Sequence, residues 1–149
     1  MEDKFQSMDK QHVAKQSFIQ IVNTANWLQA QMTDVLAPYQ ISVQQLRILA
    51  IVASQKEAKA TVNSIRQAMY DPMSNVSRLL NKMVDSGLIA KVRSVEDQRV
   101  VYIRLTGNGE KMLDEGQAAL DNGMGKLACL STEQFEQLSQ LLTQLRQTS

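Results

Sequence analysis

A change in the spacing of apolar residues between Asp71 and Thr106 constrains the fold of this chain more than any other feature. Before Gly87 the apolar residues recur every three or four positions, as on one helix face: Val76, Leu79, Leu80, Met83 and Val84. After Gly87 the period is two, since Val101, Ile103 and Leu105 alternate with other residues. Gly87 itself lies where helices commonly end in the left-handed conformation. The segment is therefore predicted to be a helix followed by a hairpin, in which "IAKV" is the first strand and "RSVEDQR" the tip.

Five further helices are predicted around this segment. The first spans Lys10 to Leu36 and is ended by Pro38. Its apolar side is so wide that it is interpreted either as a central core helix or as a helix shared with a second subunit. Ser42 and Ser131 each precede a Gln by three positions, the capping-box pattern of a helix start. The other two helices are predicted to begin at Thr61 and Thr106. The last helix is expected to bury four apolar residues: Phe135, Leu138, Leu142 and Leu145.

Composition restricts the classes of function. The chain has 149 residues, 44% hydrophobic and 21% charged, which is typical of one globular domain. One His and one Cys, with no glycine-rich phosphate loop or nucleophile motif, argue against an enzyme and against a metal or other cofactor. The longest apolar run, "LRILAIVAS", is too short to cross a membrane. A single Cys fits a reducing cytoplasm.

Charge is distributed unevenly along the chain. The net charge is only +1, but residues 56–104 contain nine Lys or Arg against five Asp or Glu. Phosphates are attracted by a local basic patch rather than by the mean charge of a protein, so this segment suits a nucleic-acid partner. An ordinary solvated surface is the alternative explanation.

The helix at Thr61, the turn after it and the next helix form a predicted helix-turn-helix. The second helix begins at Asp71-Pro72 or at Ser74, because both are good start signals. Its outward side chains suit base edges, since Asn pairs a donor with an acceptor and Arg is a forked donor for guanine. The alternative is that any exposed helix face is polar. The candidate DNA-binding residues on this helix are Ser74, Asn75, Ser77, Arg78, Asn81 and Lys82.

The hairpin tip supplies three more candidate DNA-binding residues, Arg93, Asp97 and Arg99. A long basic side chain on a hairpin can enter the minor groove of DNA, where the negative potential is strongest. Asp97, two residues from Arg99, is interpreted as orienting a neighbouring guanidinium group. The alternative is a tip that is merely solvated.

These motifs resemble the winged-helix region of the multiple antibiotic resistance regulator (MarR) family of transcription factors. The resemblance rests on "SNVSRLLNKMVDSGLI" as the recognition helix, "DQR" as the Asp-x-Arg signature of the wing, and "IRLTGNGEKML" as the passage from strand to helix. The sequence departs from the family pattern at two places, and both could alter phosphate contacts. The helix before the recognition helix reads "TVNSIRQAM", where the family commonly has a Leu-Ala pair, and Lys91 stands where many members have Arg.

The resemblance implies a mainly α fold with a small β-hairpin. Residues 1–149 would form one domain, with a winged helix-turn-helix lobe at about 42–105 and dimerisation helices at about 10–37 and 107–147. Such proteins bind pseudo-palindromic operators as homodimers. By the resemblance, Ser74, Asn75, Ser77 and Arg78 would face the major groove, Arg99 would reach the minor groove, and Asp97 would hold the wing.

The predicted function is a sequence-specific, cytoplasmic DNA-binding regulator, and more specifically a repressor relieved by a ligand. Many members bind small aromatic or phenolic effectors between the dimer helices and the lobe, where Trp27, Met32 and Tyr39 could line a pocket. The alternative is that these three are ordinary core residues, so they are not included among the candidate site residues. One competing hypothesis is a winged-helix module that binds protein instead of DNA, which the modest net charge favours. The other is a redox-sensing regulator that uses Cys129. A free Cys more commonly acts as a small hydrophobic residue in the core.

Overall fold

The computed structural model describes residues 2–55, 60–69, 75–97 and 99–147, with side chains from residue 9 onward. The predicted fold class, mainly α with a small β-hairpin, is confirmed. The elements in chain order are α1 (Glu2–Leu36), a 3-10 turn (Ala37–Tyr39), α2 (Val43–Ser54), α3 (Val62–Ala68), α4 (Val76–Asp85), β1 (Ile89–Arg93), β2 (Val101–Leu105), α5 (Gly107–Gly125) and α6 (Thr132–Arg146).

Helix α1 begins at Glu2, eight residues before the predicted start, and ends at Leu36 as predicted. The added turns contain no Gly or Pro, so the helix continues although the apolar pattern begins later. Within the described residues, no single helix is both long and apolar enough to cross a membrane. The bent pair formed by Asp9–Tyr39 and Val43–Ser54 meets the two criteria together, by length and composition.

The predicted helix starts at Ser42, Thr61, Thr106 and Ser131 are confirmed. The Ser42 hydroxyl accepts from the Gln45 backbone N–H at 3.2 Å, and the Gln45 side chain accepts from the Ser42 N–H at 2.9 Å. Ser131 and Gln134 repeat this reciprocal pair. Because these bonds satisfy backbone N–H groups that a helix leaves unpaired, they define where each helix begins.

The core lies where α2, α3, α4 and the hairpin meet. Helix α2 contributes Leu46, Ile48, Leu49 and Val52, and α4 contributes its predicted inward side, with Val76, Leu80 and Met83 fully buried. Strands β1 and β2 pair antiparallel, with Ile89 opposite Leu105 and Arg93 opposite Val101. An additional bridge joins Ala60 to Ile103, so the hairpin is attached to the lobe through its buried side.

Three glycines spaced seven residues apart allow α5 to approach three parts of the chain. A Cβ at Gly109 would overlap the carbonyl oxygen of Leu88, and one at Gly116 would lie 2.7 Å from a methyl group of Leu46. A Cβ at Gly123 would lie 2.7 Å from a methyl group of Val35 on α1. Helix α5 continues through Gly123 and ends at Gly125. Helix α5 thus joins the lobe to α1.

The terminal helices are less covered than predicted. No described residue of α6 is buried, so the expected burial of Phe135, Leu138, Leu142 and Leu145 is wrong for the single chain. On α1, Phe18 and Val22 are more than half exposed, so the interpretation of α1 as a central core helix is also wrong. The physical reason is that the lobe and α5 cover α1 only near its C-terminal end, at Val35 and Leu36, and α6 lies beyond this contact. An open apolar groove of about 900 Å³ lies between residues 13–21 of α1 and 138–145 of α6.

Candidate nucleic-acid interface

Helices α3 and α4 pack against each other as the predicted helix-turn-helix, and α4 also contacts β1. The apolar side of α4 is buried in the lobe, which leaves its other side in solvent. The structure exposes five of the six predicted residues of this helix, and the sixth, Ser74, lies outside the described residues. The exposed five are Asn75, Ser77, Arg78, Asn81 and Lys82.

Asn75 is the N-cap of α4, which corrects the predicted start at Asp71-Pro72 or Ser74. Its Oδ1 atom accepts from the Arg78 backbone N–H at 3.1 Å. Asn is among the best capping residues, because its side-chain oxygen can accept from a backbone N–H group that the first helical turn leaves unpaired. Both alternative start residues lie outside the described part of the chain. The cap engages the amide oxygen of Asn75, and its amide N–H₂ group makes no hydrogen bond to another described residue.

The hairpin turn contains the described residues 94–97, 99 and 100. The Ser94 N–H donates to the Val100 carbonyl at 2.9 Å, and the Val100 N–H donates to the Asp97 carbonyl at 2.9 Å. Arg93 was predicted to belong to the hairpin tip. In the structure it is instead the last residue of β1, paired with Val101. The strand extends one residue further because the Arg93–Val101 pair continues the ladder. Arg93 and Arg99 are both exposed and lie at opposite ends of the turn.

Asp97 stabilises the backbone of the tip rather than a guanidinium group. Its carboxylate accepts from the Arg99 backbone N–H at 2.9 Å, and it makes no ion pair with any arginine that the structure describes. An Asp side chain commonly bonds the backbone two residues on, which mimics a backbone turn. The interpretation that Asp97 orients a guanidinium is therefore wrong in this structure. Asp97 still shapes the hairpin tip from which Arg99 projects.

Ser94 is a turn residue that the sequence interpretation missed. Its hydroxyl oxygen accepts from the backbone N–H groups of Glu96 and Asp97, both at 3.2 Å. A Ser two and three residues before such N–H groups is a recognised local turn pattern, and this signal is present in "SVED". Ser94 and Asp97 together satisfy three backbone donors of an exposed loop.

Lys91 is a second residue whose role was missed. Its ammonium group donates to Oδ1 of Asn81 at 2.7 Å and so connects β1 with α4. The two residues are ten positions apart, and both are exposed. Nothing in the local sequence marks this contact, because it depends on how the hairpin folds back on the helix.

The cations around α4 and the hairpin form no ion pairs among the residues that the structure describes. Arg78, Lys82, Arg93 and Arg99 form no ion pair with a described residue, whereas Lys111 on α5 lies 3.8 Å from Glu115. Exposed cations that are not held in ion pairs contribute a positive potential that attracts phosphate groups. The local basic balance seen in the sequence therefore becomes a basic surface.

The other candidate sites are less organised. Trp27 is about half exposed, and neither it nor Met32 nor Tyr39 lines either of the two largest cavities described. Cys129 is exposed in the connection between α5 and α6, where it does not act as a buried hydrophobe. In the described ranges, no three His, Cys, Asp or Glu side chains are grouped as metal ligands.

Known proteins share this architecture. The family described as transcriptional regulator SarA/Rot matches residues 31–115, more than half of the chain. The homoprotocatechuate degradative operon repressor of Escherichia coli is 25% identical over 109 residues, covering 72% of each chain. A MarR-like transcription regulator from Bacillus cereus has a TM-score of 0.80 at 20% identity, covering 91% of this chain and 96% of the other. Staphylococcus aureus MepR, in complex with DNA, has a TM-score of 0.78 at 23% identity, covering 88% and 96%.

A helix-turn-helix with an appended hairpin and long flanking helices is the architecture of a winged-helix protein. The chain belongs to the SarA/Rot family of transcriptional regulators, through the match that covers its winged helix. The predicted resemblance to MarR-type regulators is confirmed by the fold. The family and the relatives are regulators of transcription and not enzymes, which agrees with the sequence prediction.

Proposed function

We propose that the protein is a sequence-specific DNA-binding repressor that acts as a homodimer on a pseudo-palindromic operator. The observation that carries the proposal is the continuous exposed surface formed by α4 and the hairpin. The Asn81–Lys91 hydrogen bond joins the two elements, and the cations on both lack counter-ions among the described residues. The MepR structure in complex with DNA has the same fold, and the E. coli relative is an operon repressor.

In this proposal α4 lies in the major groove and the hairpin reaches the adjacent minor groove. Base edges would be contacted from the N-terminal part of α4, where recognition helices commonly read sequence. Arg99 would act on the minor groove and the phosphates, from a tip that Asp97 holds in shape. The full set of proposed DNA-binding residues is Ser74, Asn75, Ser77, Arg78, Asn81, Lys82, Arg93, Asp97 and Arg99.

A second copy of the chain is the proposed occupant of the groove between α1 and α6. Both sides of the groove are apolar and open, and a two-fold assembly would cover them with the same surface of the partner. The proposed boundaries stay those predicted: a DNA-binding lobe at about 42–105 and dimerisation helices at about 10–37 and 107–147. Two lobes related by a two-fold axis would match the symmetry of a pseudo-palindromic operator.

A small aromatic or phenolic molecule is the proposed effector that relieves repression. The name of the E. coli relative refers to the degradation of homoprotocatechuate, an aromatic acid, which supports this class of ligand. The proposed location is the cytoplasm, because a bacterial-type operator is reached there.

The test is the affinity of the protein for a duplex carrying the upstream region of its own gene, measured over a salt series. If six to ten phosphates are contacted, the affinity should fall by about 10³–10⁵ between 50 and 200 mM salt, and a scrambled duplex should bind more weakly at every salt concentration. A protein-interaction module would retain neither duplex. Equal affinity for both duplexes would contradict sequence-specific regulation at this site.

A further inference from the structure

The contact between Lys91 and Asn81 has a defined chemical direction. A lysine ammonium group has three donors and no acceptor, so the atom of Asn81 that meets it at 2.7 Å must be the amide oxygen. The planar amide therefore places its N–H₂ group on the side away from Lys91. Reversing the amide would put N–H donors against an ammonium group, so the bond holds Asn81 in one orientation.

Lys91 is well placed to keep this orientation before any partner binds. Side chains alternate across a strand, so Lys91 lies on the same side of β1 as Ile89, which is buried in the lobe. Its register partner on β2, Ile103, is fully buried as well. The aliphatic stem of Lys91 thus starts from an anchored part of the hairpin, and its charged end reaches the exposed side of α4.

The pair presents mainly donors to an incoming molecule. Asn81 offers its two amide N–H groups, and Lys91 retains two further N–H donors. Guanine carries two acceptors in the major groove, N7 and O6, whereas adenine carries one acceptor and one donor. Phosphate oxygens are also acceptors. An asparagine free to rotate could instead pair bidentately with adenine.

We infer that Lys91 is a positioning residue that presents Asn81 to DNA as a hydrogen-bond donor, so that the pair selects acceptor groups. This inference rests on the proposed DNA-binding function. The acceptors are either the N7 and O6 atoms of a guanine or the oxygens of a phosphate. In the first case Lys91 sets base preference at one position of each half-site. In the second it sets affinity without regard to sequence.

Four variants separate these roles. Lys91→Met keeps the stem and removes the donor, and Lys91→Arg restores a donor. Asn81→Asp keeps an acceptor for Lys91 and removes the N–H₂ group offered to DNA. Lys111→Met is the charge-matched control, because Lys111 lies on α5 and pairs with Glu115. Lys91 and Asn81 are exposed, so all four variants should keep the melting temperature of the wild type.

The first measurement uses the protein without DNA. The side-chain N–H₂ resonances of Asn81, assigned by their loss in Asn81→Asp, should shift in Lys91→Met and return toward wild-type positions in Lys91→Arg. Lys111→Met should leave them unchanged. Identical Asn81 resonances in wild type and Lys91→Met would show that the contact does not exist in solution, and the inference would be wrong.

The second measurement is selection of bound duplexes from a randomised library, with the affinity of the selected sequence. If the acceptor is guanine, Lys91→Met should lose preference for guanine at one position per half-site and accept adenine there. Asn81→Asp should lose about 5- to 150-fold in affinity for the selected duplex, the value of a good base contact. If the acceptor is a phosphate, Lys91→Met should weaken all duplexes alike and keep the selected sequence.

The outcomes distinguish the inference from the function on which it rests. If the wild type selects no sequence and binds no duplex, the proposed DNA-binding function is wrong, and the inference falls with it. If the wild type selects a sequence while Lys91→Met keeps both its preference and its affinity, only the role of Lys91 is wrong.

Discussion

Gly123 on α5 lies so close to Val35 on α1 that a Cβ at the glycine would come within 2.7 Å of a Val35 methyl group. This contact fixes how near the two helices pass, and α5 also contacts the lobe through Gly109 and Gly116. Helix α5 therefore lies between α1 and the winged-helix lobe, and it approaches both closely at glycines that leave no space for a side chain.

Gly123→Ala should destabilise the protein. Overpacking a close contact costs about 1–3 kcal/mol, while the better helix propensity of Ala returns at most about 1 kcal/mol. The measurement is the free energy of unfolding in urea. Gly125→Ala is the matched control, because nothing lies within 4 Å of its Cβ position, and it should be neutral or stabilising. Adding Val35→Ala to Gly123→Ala should recover part of the loss, and strictly additive effects would show that the two residues do not touch.

Arg78→Ala and Arg99→Ala should weaken DNA binding in different ways. Arg78 is exposed on α4, and the proposed function places it against base edges, so its loss should cost about 1–3 kcal/mol on the operator and relax discrimination. Arg99 projects from the hairpin tip, where readout is degenerate, so its loss should weaken operator and scrambled duplex alike and reduce the salt slope by about one. The measurement is affinity for both duplexes over a salt series. Unchanged affinities in folded Arg99→Ala protein would mean that the tip is only solvated.

Asp97→Asn should behave differently from Asp97→Ala. Asn keeps an oxygen that can accept from the Arg99 backbone N–H, whereas Ala leaves this N–H to water and loosens the tip. Asp97→Ala should therefore weaken both duplexes, and Asp97→Asn should bind at least as tightly as the wild type, since it also removes a negative charge. Hydrogen exchange of the Arg99 amide should be faster in Asp97→Ala alone. Equal losses in both variants would instead indicate that the negative charge itself is needed.

Leu138→Glu should prevent dimerisation. Leu138 lines the groove between α1 and α6, and a carboxylate there would lose its hydration when a partner covers the groove. Gln137→Glu introduces the same charge on α6, at a residue that does not line the groove. Light scattering after size-exclusion chromatography should show a monomer for Leu138→Glu and a dimer for Gln137→Glu.

A second variant tests the same interface more severely. Removal of the chain from Ser131 onward should give monomeric or insoluble protein with much weaker operator affinity, because α6 forms one side of the groove. A well-behaved dimer after this truncation would show that the interface lies elsewhere.

Local signals in the sequence determined most of the secondary structure. The capping pairs that begin at Ser42 and Ser131 and the left-handed Gly87 were all predicted, and all involve residues within a few positions of one another. The change from a period of three or four to a period of two located the hairpin within one residue. Such features follow from backbone hydrogen bonding and side-chain direction, which a short segment largely decides by itself.

Tertiary structure alone decided the contacts between distant side chains and the choice between competing local bonds. Lys91 meets Asn81, and Gly123 meets Val35, only because the hairpin and α5 fold back on other helices. Asp97 bonds a backbone N–H rather than a guanidinium because the geometry of the turn brings that donor nearer. The apolar side of α6 stays uncovered, since one chain has already filled its core with other helices. Apolar spacing records which residues avoid water, but whether the same chain or a second one covers them depends on the space that the folded lobe leaves.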